Sequence, residues 1–224
     1  MIALGLDGFR NGWVAVRIDG ARRTIHFIEH VREIVALGFD RAGIDIPIGM
    51  TENGVRDCDL KAREKLRPHS SRVFTGARRW LWQDFTDPDE ANVEAHRRGQ
   101  PRVSRQLWHL GPKIMEVDAF VQTNPSLEVR EVHPELVFLQ LNDSTPLDSK
   151  KSARGARLRR ALLKRDGFAM IDTWLNETRI GKGAKADDVL DACACAIAAR
   201  DFRARLPEGD APRDSSGLPM QIWF

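Results

Sequence analysis

Asp7, Asp45 and Asp188, with Asp191 one turn beyond, are the residues of this sequence best placed to do chemistry. Asp7 closes the apolar run Ile2 to Leu6 and is followed by Gly8, Gly12 and Trp13. An aspartate at the end of a strand near the middle of a sheet stands where an open α/β fold gathers its reactive groups, just outside the carboxyl ends of the strands. The competing reading is a plain Asp-Gly turn. Asp45 lies within Ile44-Asp45-Ile46-Pro47-Ile48. A buried, unpaired carboxylate there would cost several kcal/mol and calls for a cation or hydrogen-bond donors. An edge strand facing solvent would also accommodate it, although Pro47 already ends the strand.

The third group is Asp187-Asp188-Val189-Leu190-Asp191, leading into Ala192-Cys193-Ala194-Cys195-Ala196-Ile197. On a helix these acids fall three and four residues apart, so like charges share one face and require something positive nearby. A helix start explains Asp187 as N-cap. It explains Asp191 poorly, because the macrodipole's effect fades beyond the first turn. The small residues that follow would let the helix approach a sheet closely and bring Asp188 to a strand-end carboxylate. Hard carboxylate oxygens suit Mg²⁺ or Mn²⁺.

The elements that must hold these residues can be read from apolar periodicity. Ile2 to Leu6, Trp13 to Ile18 and Thr24 to Ile28 predict three strands joined by short turns, an antiparallel series. His30 to Leu37 has helical spacing and precedes a fourth apolar strand, Gly43 to Ile48, which implies a parallel crossover onto the same sheet. From Met50 to about Ser126 the chain turns to helices and loops rich in Arg, Trp and Pro, read as an insertion at about 50–126 within a single domain spanning 1–224. Leu127 to His133 resumes strand character, Pro134 to Leu141 predicts a short helix, and Ser149 to Arg165 a basic amphipathic helix with Leu158, Leu162 and Leu163 inward. A small-residue helix runs from about Asp187 to Arg203, and Met220 to Phe224 reads as a last strand or docked tail.

Seven segments in this order, Gly5-Leu6-Asp7-Gly8 through Trp13, Ile44 to Gly49, Arg56-Asp57-Cys58-Asp59 with Ala62-Arg63, Ser70-Ser71-Arg72-Val73-Phe74, Pro112 to Asp118, Glu131-Val132-His133-Pro134-Glu135, and Asp187 to Ala192, resemble the DUF429 family of predicted ribonuclease H-like nucleases. The resemblance implies an α/β fold with a five-stranded mixed sheet flanked by helices, a helical insertion after the fourth strand, and carboxylates on the first strand, after the fourth, and on the final helix. Those positions are Asp7, Asp45, and Asp188 with Asp191. It further implies a metal-dependent nuclease in which Asp7 bridges two ions, Asp45 and Asp188 each complete one site, and Asp191 ligates or supports. The Asp-x-x-Asp-Ala ending is similar to that of Holliday-junction resolvases, which carry glutamate where this chain has Asp45; aspartate there is similar to ribonuclease H. Glu135 is the better secondary site candidate in its segment, since a histidine before proline such as His133 more often caps backbone groups. Asp57 and Asp59 read as a solvated helix face.

Between Lys61 and Arg79 there are seven Lys/Arg against one acid, and between Lys150 and Arg165 eight with none. Lined along the carboxylates, such segments would supply salt-dependent phosphate contacts. The candidates are Arg63, Arg72, Lys113, Lys150, Arg154 and Arg157, with Trp80 and Trp82 available for base stacking. Solvated helix faces over buried tryptophans are the plainer alternative.

Composition sets the outer limits. With 42% hydrophobic and 30% charged residues the chain can bury a core, and a net charge of +3 implies no nucleic-acid partner by itself. Cys58, Cys193 and Cys195 form neither an even disulfide set nor a C-x-x-C pair, which predicts a reducing compartment. With no basic flank before the apolar start and no membrane-length run, the expectation is a cytoplasmic protein without signal peptide or membrane span. A non-catalytic ribonuclease H-like module binding nucleic acid or protein is the main alternative function. An actin-like phosphotransferase is a lesser one, because no second phosphate-binding strand motif is present.

Overall fold

The computed structural model describes residues 1–224. In chain order the elements are β1 (Ile2–Phe9), β2 (Gly12–Asp19), β3 (Arg22–Ile28), α1 (Ile34–Leu37), β4 (Arg41–Ile44), α2 (Asp57–Lys65), α3 (Arg79–Gln83), α4 (Pro88–Arg97), α5 (Arg105–Thr123), β5 (Val129–Glu131), α6 (Pro134–Leu141), α7 (Ala153–Arg165), α8 (Ile171–Thr173), α9 (Ala186–Asp201), β6 (Arg205–Leu206) and β7 (Ile222–Trp223). The five-stranded sheet has the order β3-β2-β1-β4-β5, and β6 pairs with β7 in a separate ribbon. Strands β1 to β3 are antiparallel neighbours, while β4 runs parallel to β1 and β5 parallel to β4. This is an α/β, ribonuclease H-like mixed sheet flanked by helices, with a helical segment following the fourth strand.

The chain divides into two compact units, one of residues 1–46, 126–204 and 223–224, the other of residues 47–125 and 205–222. The first holds the sheet, α6, α7 and α9. Helix α9 packs on β1, β2 and β4 and is itself covered by α6 and α7. Its residues from Val189 to Ala199 are all buried, which the run of alanine and cysteine permits by keeping the helix thin. The sheet makes matching room. A Cβ at Gly5 would lie 2.0 Å from the Ala196 nitrogen and 2.2 Å from the Ala192 carbonyl oxygen, and one at Gly43 would lie 2.7 Å from the Cys195 carbonyl. Backbone therefore rests on backbone, and Gly5→Ala must push helix and sheet apart. The expected loss is about 3 kcal/mol by urea denaturation. Gly20→Ala, where a Cβ meets open space but φ is +53°, is expected to lose only about 1 kcal/mol for its left-handed backbone.

Several element boundaries differ from the sequence expectation for identifiable reasons. The fourth strand is Arg41–Ile44 and not Gly43 to Ile48: the Asp45 N–H makes a last bond to the Leu6 carbonyl at 3.0 Å, and Pro47 has no N–H with which to continue. The first helix begins as a 3₁₀ turn at Val31–Glu33 and stops at Gly38 with φ +62°. Helix α7 starts at Ala153, where the Ser152 side chain accepts a bond from the Gly155 N–H. Leu158 on it is only half-buried. No helix is long and apolar enough to cross a membrane, and all three cysteines are free and buried.

Candidate metal centre

Register brings the first two carboxylates together. Leu6 of β1 aligns with Ile44 of β4, the last pair of their parallel register, so Asp7 and Asp45 follow side by side just beyond it. Side chains alternate along a strand, which puts Asp7 on the face of Gly5 and Asp45 on the face of Gly43. That face is the one α9 covers. On the helix, Asp191 precedes Cys195 by four residues and Asp188 precedes Ala192 by four, so both acids project from the turn just before the contacts with Gly43 and Gly5. Ligand atoms of Asp7, Asp45 and Asp191 all lie within 4.8 Å of one another. Asp7 is 9% and Asp191 2% exposed, and Asp45 is half-buried.

Burial and mutual repulsion raise every acid of the cluster. The Asp7 carboxyl is held well above its ordinary range by burial, then by Asp45, Asp191 and Asp188. Asp45 is pushed up to about 8 by burial and then by Asp191, with Glu131 and Glu135 adding to it. Asp191 is raised by burial against the opposing pull of Lys150. The Lys150 ammonium is half-buried in the same cluster, 2.5 Å from Asp191 Oδ2 and 3.7 Å from Asp187 Oδ2. Burial disfavours its charge, but Asp191, Asp7 and Asp45 outweigh burial and its pKa is raised. The other oxygen of Asp191, Oδ1, is buried with no hydrogen-bond partner.

Sequence reasoning placed Asp188 among the ligands and Asp191 behind it. The tight group contains Asp191 in its place. Asp188 turns Oδ2 to the Lys185 N–H at 2.6 Å, capping α9, although burial still lifts its carboxyl to about 6. Glu135 is buried and receives both Nη2 contacts from Arg159 at 2.8 Å; the fully buried Arg159 also donates to the Asp148 and Gly155 carbonyls at 3.0 Å. Glu135 thus reaches the cluster through its field on Asp45. Glu131, the last residue of β5, is buried and adds to that field. The only sequence signal for it was an acid at the end of a strand beside His133.

The basic segments are more locally neutralised than their sequence suggests. Along α7 and its approach, Lys150 pairs with Asp191, Arg154 with Asp148 at 3.3 Å, Arg159 with Glu135, and Arg160 and Lys164 both with Asp172. Arg154 remains 84% exposed, and Arg157 is exposed. Arg63, Arg72 and Lys113 belong to the other unit and are half-buried there. Within that unit Arg63 donates to the Ser70 carbonyl, Arg78 to the Gly54 and Pro101 carbonyls, and Arg79 to Asp118 and Asp214. Asp59, expected on a solvated face, is 2% exposed and binds Arg56 through both oxygens; Asp57 is exposed and pairs with Lys61. The tryptophans are packing groups: Trp80 is 9% exposed beneath Arg78 and Arg98, and Trp82 donates to the Trp108 carbonyl and fills the space over Gly111.

Fold and cluster define the class, a ribonuclease H-like α/β protein with a buried carboxylate group able to hold a metal ion. The model of the family described as "Protein of unknown function (DUF429)" matches residues 5–211, and the chain belongs to that family. Comparisons with curated proteins and with solved structures return no match. The donor set fits a hard divalent cation: all oxygen, convergent, and with one buried oxygen that no protein group satisfies.

Proposed function

We propose that this protein is a metal-dependent phosphodiester hydrolase that acts on nucleic acid in the cytoplasm. The observation that supports this most strongly is the convergence of Asp7, Asp45 and Asp191, of which Asp191 also keeps a buried oxygen, Oδ1, without a hydrogen-bond partner. These three residues would hold Mg²⁺ or Mn²⁺. Bound there, the ion supplies Lewis acidity at a phosphoryl oxygen and a water of lowered pKa. The chain's own contribution is positional. Asp7 and Asp191 lie beneath the surface and keep bulk water from the inner side of the cluster, while half-buried Asp45 marks the side open to substrate. Lys150 Nζ holds Asp191 Oδ2 and so fixes the direction of Oδ1. Arg159 holds Glu135 in place, so that Glu135 acts on the group through its field. Exposed Arg154 and Arg157 offer phosphate contacts on α7, a role whose signature is an affinity that falls with salt.

A second reading, a non-catalytic binding module, is favoured by one observation: the Lys150 ammonium already neutralises part of the cluster without metal. One assay separates the two. Labelled single-stranded DNA, duplex DNA and RNA are incubated with the protein in Mn²⁺ or in EDTA. Cleavage that requires the ion and disappears in Asp7→Asn is the expected outcome. Binding of nucleic acid by wild type and Asp7→Asn alike, with no cleavage of any substrate, would leave the binding module as the function.

A further inference from the structure

Asp191 divides its two oxygens. Oδ2 faces the Lys150 ammonium at 2.5 Å, whereas Oδ1 is buried without a partner. The lysine does not reach the cluster from a free loop. Its neighbours are fixed on both sides: Arg159 Nη1 donates to the Asp148 carbonyl at 3.0 Å, the Ser152 N–H donates to the Ser149 carbonyl at 2.9 Å, and Gly155 lies so close that a Cβ would stand 2.2 Å from the Ser149 oxygen. Asp187 Oδ2, at 3.7 Å, is a second acid on the ammonium. A cation position bounded by Asp191 and Asp187 is therefore already filled, by the protein itself.

We infer that the centre takes one divalent ion, not two, and that Lys150 Nζ is its resident second cation. This rests on the metal-dependent reading above and specifies its stoichiometry. Position supports it: the ammonium already stands against Asp191 and Asp187, where a second ion would otherwise have to sit. The ion and the ammonium share Asp191 through different oxygens, so each fixes the carboxylate for the other.

The test is a count of bound Mn²⁺. Metal-stripped full-length protein is titrated with Mn²⁺ and the free ion is measured by electron paramagnetic resonance, for wild type, Lys150→Arg and Lys150→Met, with thermal melts to establish that each is folded and Lys150→Gln in reserve should the methionine variant not be. Wild type and Lys150→Arg are expected to bind one Mn²⁺ per chain and Lys150→Met two, the second at the vacated position beside Asp191 and Asp187. Two ions in the wild type would overturn the inference and leave the metal-dependent reading standing. A count that stays at one in Lys150→Met would overturn it as well. No Mn²⁺ in any of the proteins would overturn both.

Discussion

Asp45→Asn is expected to reduce divalent-dependent hydrolysis by about 10³-fold or more while leaving the metal-free protein as stable as the wild type, or more stable. An ion that stabilises developing charge contributes several kcal/mol to the transition state, and each 1.36 kcal/mol is about tenfold in rate. On the proposed function the substitution would remove a ligand and with it that contribution. In the metal-free protein the same carboxylate is a liability, because burial and the neighbouring Asp191 push it up to about 8. An aspartate whose folded pKa lies above its unfolded value of 3.8 favours the folded state most below that value, and the benefit is lost as pH rises through about 8. In EDTA, then, wild type should melt at a lower temperature at pH 8 than at pH 5, and Asp45→Asn should flatten that slope. Melts and hydrolysis rates of the two proteins across this range check both halves. Full activity in Asp45→Asn, or an unaltered slope, would remove Asp45 from the centre.

Arg159→Met is expected to destabilise the protein by about 3–5 kcal/mol, the cost of leaving one member of a buried ion pair alone. Arg159 is fully buried and joins Glu135 to the Asp148 and Gly155 carbonyls, so its loss strands the Glu135 charge and frees the segment that carries Lys150. Adding Glu135→Leu should recover much of the loss, since an apolar pair of similar volume can replace a buried ion pair at little cost. Urea denaturation of the two single variants and the double variant measures this. A loss below about 1 kcal/mol in Arg159→Met would show that Glu135 is not held by the arginine and would return it to the reacting groups.

What could be read from the sequence followed from local rules. The strand-crossover-strand order and the helix Pro134–Leu141 depend on residues close together in the chain, and the structure has them as expected; Asp7 was expected to close its strand, but β1 runs on to Phe9 because Gly8 and Phe9 stay paired with Trp13 and Gly12. The order of importance of Asp188 and Asp191 was not legible in this way. Both sit on the same helix three residues apart; what separates them is that the Lys185 N–H takes Asp188 while Asp191 turns to Asp45 and Lys150. The basic helix failed similarly. Its acids come from Glu135, Asp148, Asp172 and Asp191, all outside the run, so the run looked unopposed. Asp59 looked solvated because its buried pairing with Arg56 is a side-chain contact that the helical pattern does not show. In each case the deciding contact is a pairing of side chains that apolar periodicity does not report.

The absence of side chains at Gly5 and Gly43 would bear on which ions the proposed centre could select. Where α9 lies directly on the strands, no rotamer can change to widen the gap, and the separation of Asp191 from Asp7 and Asp45 is set by the bulk of the peptide group. A cage of fixed dimensions distinguishes ions by radius: Mg²⁺ draws oxygens to about 2.0–2.1 Å in a strict octahedron, whereas Ca²⁺ holds them at about 2.3–2.6 Å in looser arrangements. Discrimination between the two would therefore belong to the stiffness of the helix–sheet contact, two residues along the chain from the carboxylates that would touch the ion.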